Sequence, residues 1–240
     1  VSDPCKGVLR DGWPCGVGNT TSFVSRLMEE VRPHFVVFTG DVVFAPPSDP
    51  ASAFDVSLAP VEKAGVPYGV VLGNHDVQRC GAWDYTATVS HLEGRANVVG
   101  TSVVRVGGNR LRPHLRLWLV DYGYRSDSWV DPVDVQWLNN QSRAPPQGPP
   151  GVSLGFLHVP LRGTSDVRKL SGRALEAVGS PPVESGLADA LGSVPGMVGV
   201  GFGHDHVNDF CGVLSGTAAR PFNVCYAGSA GFTTYGSKDM

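Results

Sequence analysis

Four short apolar segments of this sequence are each followed, directly or after one glycine, by side chains that can bind metal ions. The segments cover residues 34–39, 66–72, 152–157 and 197–202. Each following residue taken alone could be a helix cap, a turn residue or a structural histidine. A carboxylate, an amide oxygen and several imidazoles together suit Zn, Mn or Fe better than Ca²⁺. The set therefore predicts a transition-metal site, formed by Asp41, Asn74 with His75, His158, and His204 with His206.

The elements predicted around these residues alternate as in an α/β protein. Helices are predicted from residue 19 or 20 to about 33, and over 53–64, 85–92, 132–140 and 187–191. The four apolar segments predict buried strands, and further strands are predicted over 97–106, 114–121 and 222–226. The last strand could pair with Val213 as a hairpin bridged by Cys211 and Cys225. Because ligands of α/β sheets bind outside the carboxyl ends of strands, the polar side chains are expected at one edge.

Two metal ions about 3.5–4 Å apart can hold a hydroxide between them and clamp a phosphoryl group for in-line attack. His75 need not be a ligand, because it could instead protonate the leaving oxygen or stabilise the transition state. Asp76, or a backbone carbonyl, would then fix its tautomer. Asp205 would orient the histidines beside it or point to solvent, and Asn208 and Asp209 are further candidates for supporting the ligands.

Taken in order, the motifs resemble the signature of the calcineurin-like metallophosphoesterases. They are Gly-Asp at 40–41, Gly-Asn-His-Asp at 73–76, His158, and Gly-His-Asp-His at 203–206. A narrower resemblance is to the purple-acid-phosphatase-like branch, which contains plant phosphatases without the extra N-terminal domain and fungal cell-cycle regulator phosphatases. It is carried by NTTSF at 19–23, FTGD at 38–41, HVPL at 158–161 and GHDHVNDFCG at 203–212.

The resemblance implies a four-layer α-β-β-α sandwich with a dinuclear centre of Fe, Zn or Mn. It implies hydrolysis of a phosphoric ester by metal-bound hydroxide, most directly of a phosphomonoester in a small molecule or a phosphoprotein. A phosphodiesterase with the same centre is one alternative, and a non-catalytic chain or inactive fragment with one intact metal site is another. The implied roles are bridging ligand for Asp41, ligands of one ion for Asn74, His158 and His204, ligand of the other ion for His206, and catalysis for His75.

Two positions depart from the family pattern. Phe44 stands where purple acid phosphatases have a tyrosine, so no tyrosinate–iron colour is expected. The family's first motif, Asp-x-His, has only Asp3-Pro4-Cys5 as a counterpart. Either Asp3 and Cys5 are variant ligands, or residues 4–20 match the cysteine loop that follows the motif. The second interpretation is favoured, since only two residues precede Asp3, and it predicts a domain truncated at its N-terminus, with truncation at the C-terminus also possible.

Composition limits the other classes of function. The 240 residues are 42% hydrophobic and 17% charged, which predicts a globular chain, here taken as one domain over 1–240. A net charge of −3 gives no attraction to nucleic acid, and no apolar run approaches the roughly 18–20 residues of a membrane span. Two cysteine pairs close in sequence, Cys5 with Cys15 and Cys211 with Cys225, and sequons at Asn19 and Asn140 favour the secretory pathway, an extracellular or a vacuolar location. Oligomeric state is left open.

Overall fold

A computed structural model describes residues 17–43, 50–77, 83–106, 115–121, 129–143, 151–215 and 220–231. The features predicted at Asp3, Cys5, Cys15 and Phe44 lie outside these residues. The helices are α1 (Val17–Val31), α2 (Pro50–Lys63), α3 (Tyr85–Leu92), α4 (Pro132–Arg143) and α5 (Leu187–Gly192). The strands are β1 (Val36–Phe38), β2 (Tyr68–Val70), β3 (Val98–Val99), β4 (Ser102–Val106), β5 (Leu115–Val120), β6 (Val152–Leu157), β7 (Arg168–Ser171), β8 (Met197–Phe202), β9 (Cys211–Leu214) and β10 (Phe222–Tyr226).

The strands form two sheets. The small sheet has three parallel strands in the order β1-β2-β3. The large sheet has seven strands in the order β4-β5-β6-β8-β10-β9-β7. Its four central strands, β5, β6, β8 and β10, are parallel, and antiparallel strands lie at both edges of the sheet. Parallel strands need crossover connections, which the helices supply.

The two sheets pack face to face between two layers of helices. Leu117 and Leu119 of β5 point into the space between the sheets, while Trp118 and Val120 point to the opposite face and join the core under the helices. This alternation explains why β5 reads as an apolar run, since both of its faces are buried. Helices α1, α2 and α3 contribute to the core on the small sheet, and α4 and α5 to the core on the large sheet. The layer order is α-β-β-α, so the predicted fold class is confirmed.

The predicted helices and buried strands are present, with two differences from the sequence prediction. The single strand predicted over 97–106 is two strands in different sheets, β3 and β4. Gly100, with φ of 72°, lies between them and allows the chain to turn from one sheet to the other. Strand β7 was missed because all of its side chains are exposed, which removes the apolar alternation that marks a strand.

The C-terminal hairpin is confirmed. Strand β9 pairs with β10 in antiparallel register, with Cys211 opposite Cys225, and the two cysteines form a disulfide. The bridge joins the strand that begins just after the 203–210 segment to the strand beside β8, and so ties the end of this segment to the large sheet. Within the described residues, no helix is both long enough and apolar enough to cross a membrane.

Candidate metal centre

Four of the predicted ligands come together at the carboxyl ends of strands. Asp41 follows β1, Asn74 follows β2, His158 follows β6 and His204 follows β8. Strands β1 and β2 belong to the small sheet, and β6 and β8 to the large sheet. The site therefore lies where the edges of the two sheets meet, the place that the strand pattern predicts for a ligand.

The Nε2 atom of His158 is at the centre of this group. It lies 3.0 Å from Asn74 Oδ1 and 3.2 Å from Asp41 Oδ2. The Nδ1 atom of His204 lies 3.2 Å from the same Nε2 and 3.2 Å from Asn74 Oδ1. The donor atoms of Asp41, His158 and His204 all lie within 4.8 Å of one another. Four side chains thus direct nitrogen and oxygen lone pairs at one small volume.

Hydrogen bonds satisfy this arrangement only in part. The other ring nitrogen of His158, Nδ1, lies 2.8 Å from the carbonyl oxygen of Thr39 and must donate to it. In the neutral ring Nε2 then carries a lone pair, and it faces acceptor oxygens of Asn74 and Asp41 with no hydrogen between them. Protonation of Nε2 would supply one hydrogen, enough for one of the contacts. A cation shared by all the lone pairs would satisfy the whole set, and the donor types fit a transition metal.

The electrostatics of the group favour the forms that bind a cation. Burial would raise the pKa of Asp41, but hydrogen bonding and charge from His158, with the His75 amide, outweigh it and hold the pKa below its usual value. Asp41 is therefore a carboxylate at neutral pH. Burial and the neighbouring His158 lower the pKa of His204, which keeps its ring neutral. Burial opposes the charged form of His158, whereas Asp41 raises its pKa, so an incoming metal ion displaces a proton there.

The backbone is strained at the same place. Four non-glycine residues in the described part of the chain have positive φ, and they include Asp41 (53°), His204 (66°) and Trp129 (62°). The Trp129 ring packs edge-on against the His204 ring, with centroids 5.5 Å apart. Left-handed backbone at such residues costs roughly 1–3 kcal/mol each and persists where the surrounding structure enforces it. Such strain concentrates at functional sites, and two of these residues, Asp41 and His204, belong to the group of candidate ligands. We call this group, Asp41, Asn74, His158 and His204, the lone-pair cluster.

Comparison with known proteins agrees with this geometry. The sequence profile described as calcineurin-like phosphoesterase matches residues 13–208, which is most of the chain. The chain belongs to the calcineurin-like phosphoesterase family. Proteins of this family bind metal ions, so the cluster has the composition and the setting of a family metal site.

The relatives confirm the narrower resemblance to purple acid phosphatases. The chain is 30% identical to the Arabidopsis thaliana protein named "Probable inactive purple acid phosphatase 14", with 97% of this chain and 67% of that protein covered. It is 24% identical to "Phosphatase DCR2" of Saccharomyces cerevisiae, with 87% of this chain and 42% of that protein covered. A solved structure covers 88% of this chain, with 86% of its own length matched, a TM-score of 0.52 and 14% identity, which shows a shared fold.

Two carboxylates hold the loop that carries Asn74. The amide of Gly73 donates to Asp76 Oδ2 at 2.9 Å, and the amide of His75 donates to Asp41 Oδ1 at 2.9 Å. Burial, reinforced by the charge of Asp41, raises the pKa of Asp76 to about 7. The sequence prediction gave Asp76 the task of fixing the His75 ring. The contacts found here connect it to backbone amides, so it supports the loop as a whole.

Asp121 holds the same loop from the large sheet, and sequence reasoning missed it. It follows β5 directly, is buried, and accepts a hydrogen bond from the amide of Leu72, two residues before Asn74. Its own amide donates to Thr101 Oγ1 at 3.1 Å. The signal that identified the other site residues, a polar residue after an apolar strand, is present at Asp121 as well. The prediction did not use this signal, because a single aspartate is also typical of an ordinary strand end.

The stability of the folded chain is expected to depend on pH through Asp121. Burial raises its pKa to about 8, against hydrogen bonds from the Leu72 amide and Tyr85. Below about pH 4 the carboxyl group is protonated in the folded and unfolded states alike. Between about pH 4 and 8 only the unfolded chain releases the proton, so the free energy of unfolding falls by up to about 1.4 kcal/mol per pH unit.

The variant Asp121→Asn removes this titration and keeps a side-chain oxygen for the Leu72 amide. Urea unfolding with a chelator present should therefore show wild type losing stability relative to Asp121→Asn from about pH 5 to about pH 8. A stability difference that stays constant over this range would contradict the account of Asp121.

His75 and His206 lie outside the tight cluster. The Nε2 atom of His75 is 4.0 Å from Asp41 Oδ2, and the ring is about a quarter exposed, at 23%. His206 is not in the group of three whose donor atoms the described residues bring within 4.8 Å. Its carbonyl oxygen accepts a hydrogen bond from the amide of Ser229 at 3.0 Å, which fixes its backbone beside the end of β10. The role of His206 as ligand of a second ion stays a prediction.

Asp205 points away from the cluster, into the protein. It is buried and accepts hydrogen bonds from the Tyr226 hydroxyl and, at 3.0 Å, from the amide of Gly179. Burial and this contact with Asp205 raise the pKa of Tyr226, so the hydroxyl is a donor at any physiological pH. Of the two roles that the sequence left open, these contacts agree with orienting the segment that carries His204.

Proposed function

We propose that this chain is a metal-dependent phosphomonoesterase with a dinuclear centre. The observation that carries the proposal is the convergence of Asp41, Asn74, His158 and His204 on one volume that hydrogen bonds leave unsatisfied. Family membership supports phosphoric ester chemistry for such a site. The second ion would be held by Asp41 and His206.

Each side chain has a defined task in this proposal. Asp41, Asn74, His158 and His204 would hold one ion, and the Thr39 carbonyl keeps the Nε2 atom of His158 free to do so by accepting from Nδ1. Bound transition metals supply Lewis-acid stabilisation of phosphoryl charge and a lowered water pKa, from about 15.7 to about 7. The amide of Asn74 adds no charge, which preserves the Lewis acidity of the site.

His75 is the proposed proton donor to the leaving oxygen. Its side chain is 23% exposed, whereas that of His158 is almost fully buried. Its amide donates to Asp41 Oδ1 at 2.9 Å, and its Nε2 lies 4.0 Å from Asp41 Oδ2, so Asp41 holds the residue beside the proposed metal ligands. A positioned imidazole contributes about 10²–10⁴-fold by general acid catalysis.

The test is hydrolysis of aryl phosphates by the metal-depleted and reloaded chain. Treatment with a chelator should abolish hydrolysis of a mono-aryl phosphate, and Zn²⁺, Mn²⁺ or Fe should restore it, with the bis-aryl phosphate hydrolysed more slowly. Hydrolysis that persists after metal removal would contradict the proposal. Faster cleavage of the bis-aryl ester would favour the phosphodiesterase alternative.

One observation favours a second candidate, a metal-binding protein without catalysis. The plant relative at 30% identity carries the word "inactive" in its name. For this chain, tight metal binding in the chelator experiment without hydrolysis of either ester would support that candidate. Hydrolysis restored by metal would count against it.

The natural substrate that we propose is a phosphorylated small molecule or a phosphoprotein, the class that the family resemblance implies. For the compartment, we propose the secretory pathway, an extracellular or a vacuolar location. The Cys211–Cys225 disulfide supports an oxidising compartment. Labelling of free thiols in the protein isolated under non-reducing conditions tests this point.

A further inference from the structure

Residues 205–209, beside the ligand His204, bind a second segment of the chain. We call this segment, residues 173–179, the strap. The amides of Leu175 and Glu176 donate to Asn208 Oδ1 at 3.0 and 3.2 Å. In return, the amide of Val207 donates to Glu176 Oε1 at 2.8 Å. Asp209 forms two hydrogen bonds with Arg173, the first residue of the strap. The Asp209 side chain accepts from the Arg173 amide, and the Asp209 amide donates to the Arg173 carbonyl oxygen at 3.0 Å.

These contacts matter because the segment that carries His204 has no regular secondary structure. Residues 203–210 lie between β8 and β9 and form neither helix nor strand. A segment of this kind, with His204 at a φ of 66°, needs contacts from outside to hold its shape. The strap supplies them along the whole stretch from Asp205 to Asp209, and Tyr226 adds one from β10. The polar residues between and after the histidines are thus used for docking.

The strap ends against the ring of His204. A β-carbon at Gly179 would lie 3.0 Å from His204 Nε2, 2.9 Å from His204 Cδ2 and 2.8 Å from Asp205 Oδ1. Real β-carbons do not come so close to other heavy atoms, so a larger residue at 179 would push the ring or lift the strap. Gly179 covers the edge of the ring opposite to Nδ1, which is the atom that faces Asn74 and His158. The position of His204 Nδ1 therefore depends on the strap.

We propose that the strap is a positioning element for the metal ligand His204, and that Gly179 is the position that sets the His204 ring. The inference rests on the proposed function only in taking His204 as a ligand. The strap covers the Nε2 side of His204 at Gly179. This element could not be predicted from the sequence, because residues 172–186 contain neither helix nor strand and are distinguished only by their glycines and prolines.

The experiment compares Gly179→Ala with Ala177→Ser, which adds one heavy atom at an exposed position of the same strap. Gly179→Ala should weaken Zn²⁺ binding, measured by calorimetry, about tenfold or more, the usual range for residues that orient a ligand. Ala177→Ser should bind Zn²⁺ within about twofold of wild type, since nothing at the ring changes. In the metal-free protein, the ring resonances of His204 should shift in Gly179→Ala and stay in place in Ala177→Ser.

A second pair of variants acts at the other face of the docking site. Glu176→Ala removes the acceptor for the Val207 amide and should weaken Zn²⁺ binding, whereas Glu176→Gln keeps an oxygen there and should restore it. This pair decides the matter if Gly179→Ala does not fold. Unchanged His204 resonances and Zn²⁺ affinity in the folded variants would overturn the inference. If wild type itself binds no Zn²⁺, the proposed function fails, and the His204 resonances of the metal-free proteins still decide the role of the strap.

Discussion

Replacing His204 with alanine is expected to lower kcat/KM for a mono-aryl phosphate at least about 100-fold, because a first ligand and its charge stabilisation are lost together. The Nδ1 atom of His204 is one of three candidate ligand atoms that lie 3.0–3.2 Å from His158 Nε2, itself the fourth. Without it, only Asn74, His158 and Asp41 would remain as ligands of the proposed ion. The loss should appear mainly in kcat, since the centre stabilises charge that develops in the transition state.

The matched control is His34→Ala. His34 is exposed, lies outside the cluster and precedes β1. Its removal takes away one imidazole and should leave turnover unchanged. Near wild-type turnover in His204→Ala would remove His204 from the site and with it the proposed mechanism. A loss of equal size in both variants would point to a general effect of histidine removal on the fold.

Replacing Gly73 with alanine is expected to destabilise the fold and to disrupt the site at once. A β-carbon there would overlap the Asp41 carboxylate and lie 2.5 Å from the Asp41 backbone nitrogen. Backbone atoms cannot move aside as a flexible side chain can, and Gly73 is buried between the ends of β1 and β2. Overpacking of this kind costs about 1–3 kcal/mol, and here the displaced group is the carboxylate proposed to bridge two ions.

Urea unfolding with a chelator present, followed by Zn²⁺ titration of the folded variant, measures the two effects of Gly73→Ala separately. The control is Gly18→Ala, because a β-carbon at Gly18 meets nothing within 4 Å. Gly18 lies in the first turn of α1, where alanine should leave stability unchanged or raise it by about 0.5–1 kcal/mol. Gly73→Ala with normal stability and normal Zn²⁺ affinity would contradict the close approach of Gly73 and Asp41.

Much of the fold could be predicted from the sequence, for a physical reason. Strands β6, β8 and β10 were predicted with their observed bounds, because each is a short run rich in apolar residues between turn residues. Helix α3 was predicted equally well, since Asp84 caps it by accepting from the Ala87 amide at 3.0 Å. Four of the predicted ligands came together because parallel strands end at one edge, which is a property of topology more than of any motif.

The features that escaped prediction depend on contacts between distant parts of the chain. Strand β7 is exposed and pairs with β9, but its sequence has no apolar pattern from which a strand could be predicted. Asp121 matters only because β5 lies beside the end of β2, 49 residues earlier. The strap is recognisable only once Asn208 and Asp205 are seen to bind amides some 26–33 residues before them. Single-sequence periodicity carries no record of such pairings.

The most direct test of the central claim is a titration of metal-depleted wild type and His204→Ala with Zn²⁺, with bound metal measured after equilibrium dialysis. The lone-pair cluster predicts saturable Zn²⁺ binding by wild type, at two ions per chain if the centre is dinuclear. Binding should release protons, because the metal ion displaces the proton of the His158 ring. His204→Ala should lose the tight site, while His34→Ala keeps it. Equal Zn²⁺ binding by wild type and His204→Ala, or none by wild type, would contradict the assignment of a metal centre to Asp41, Asn74, His158 and His204.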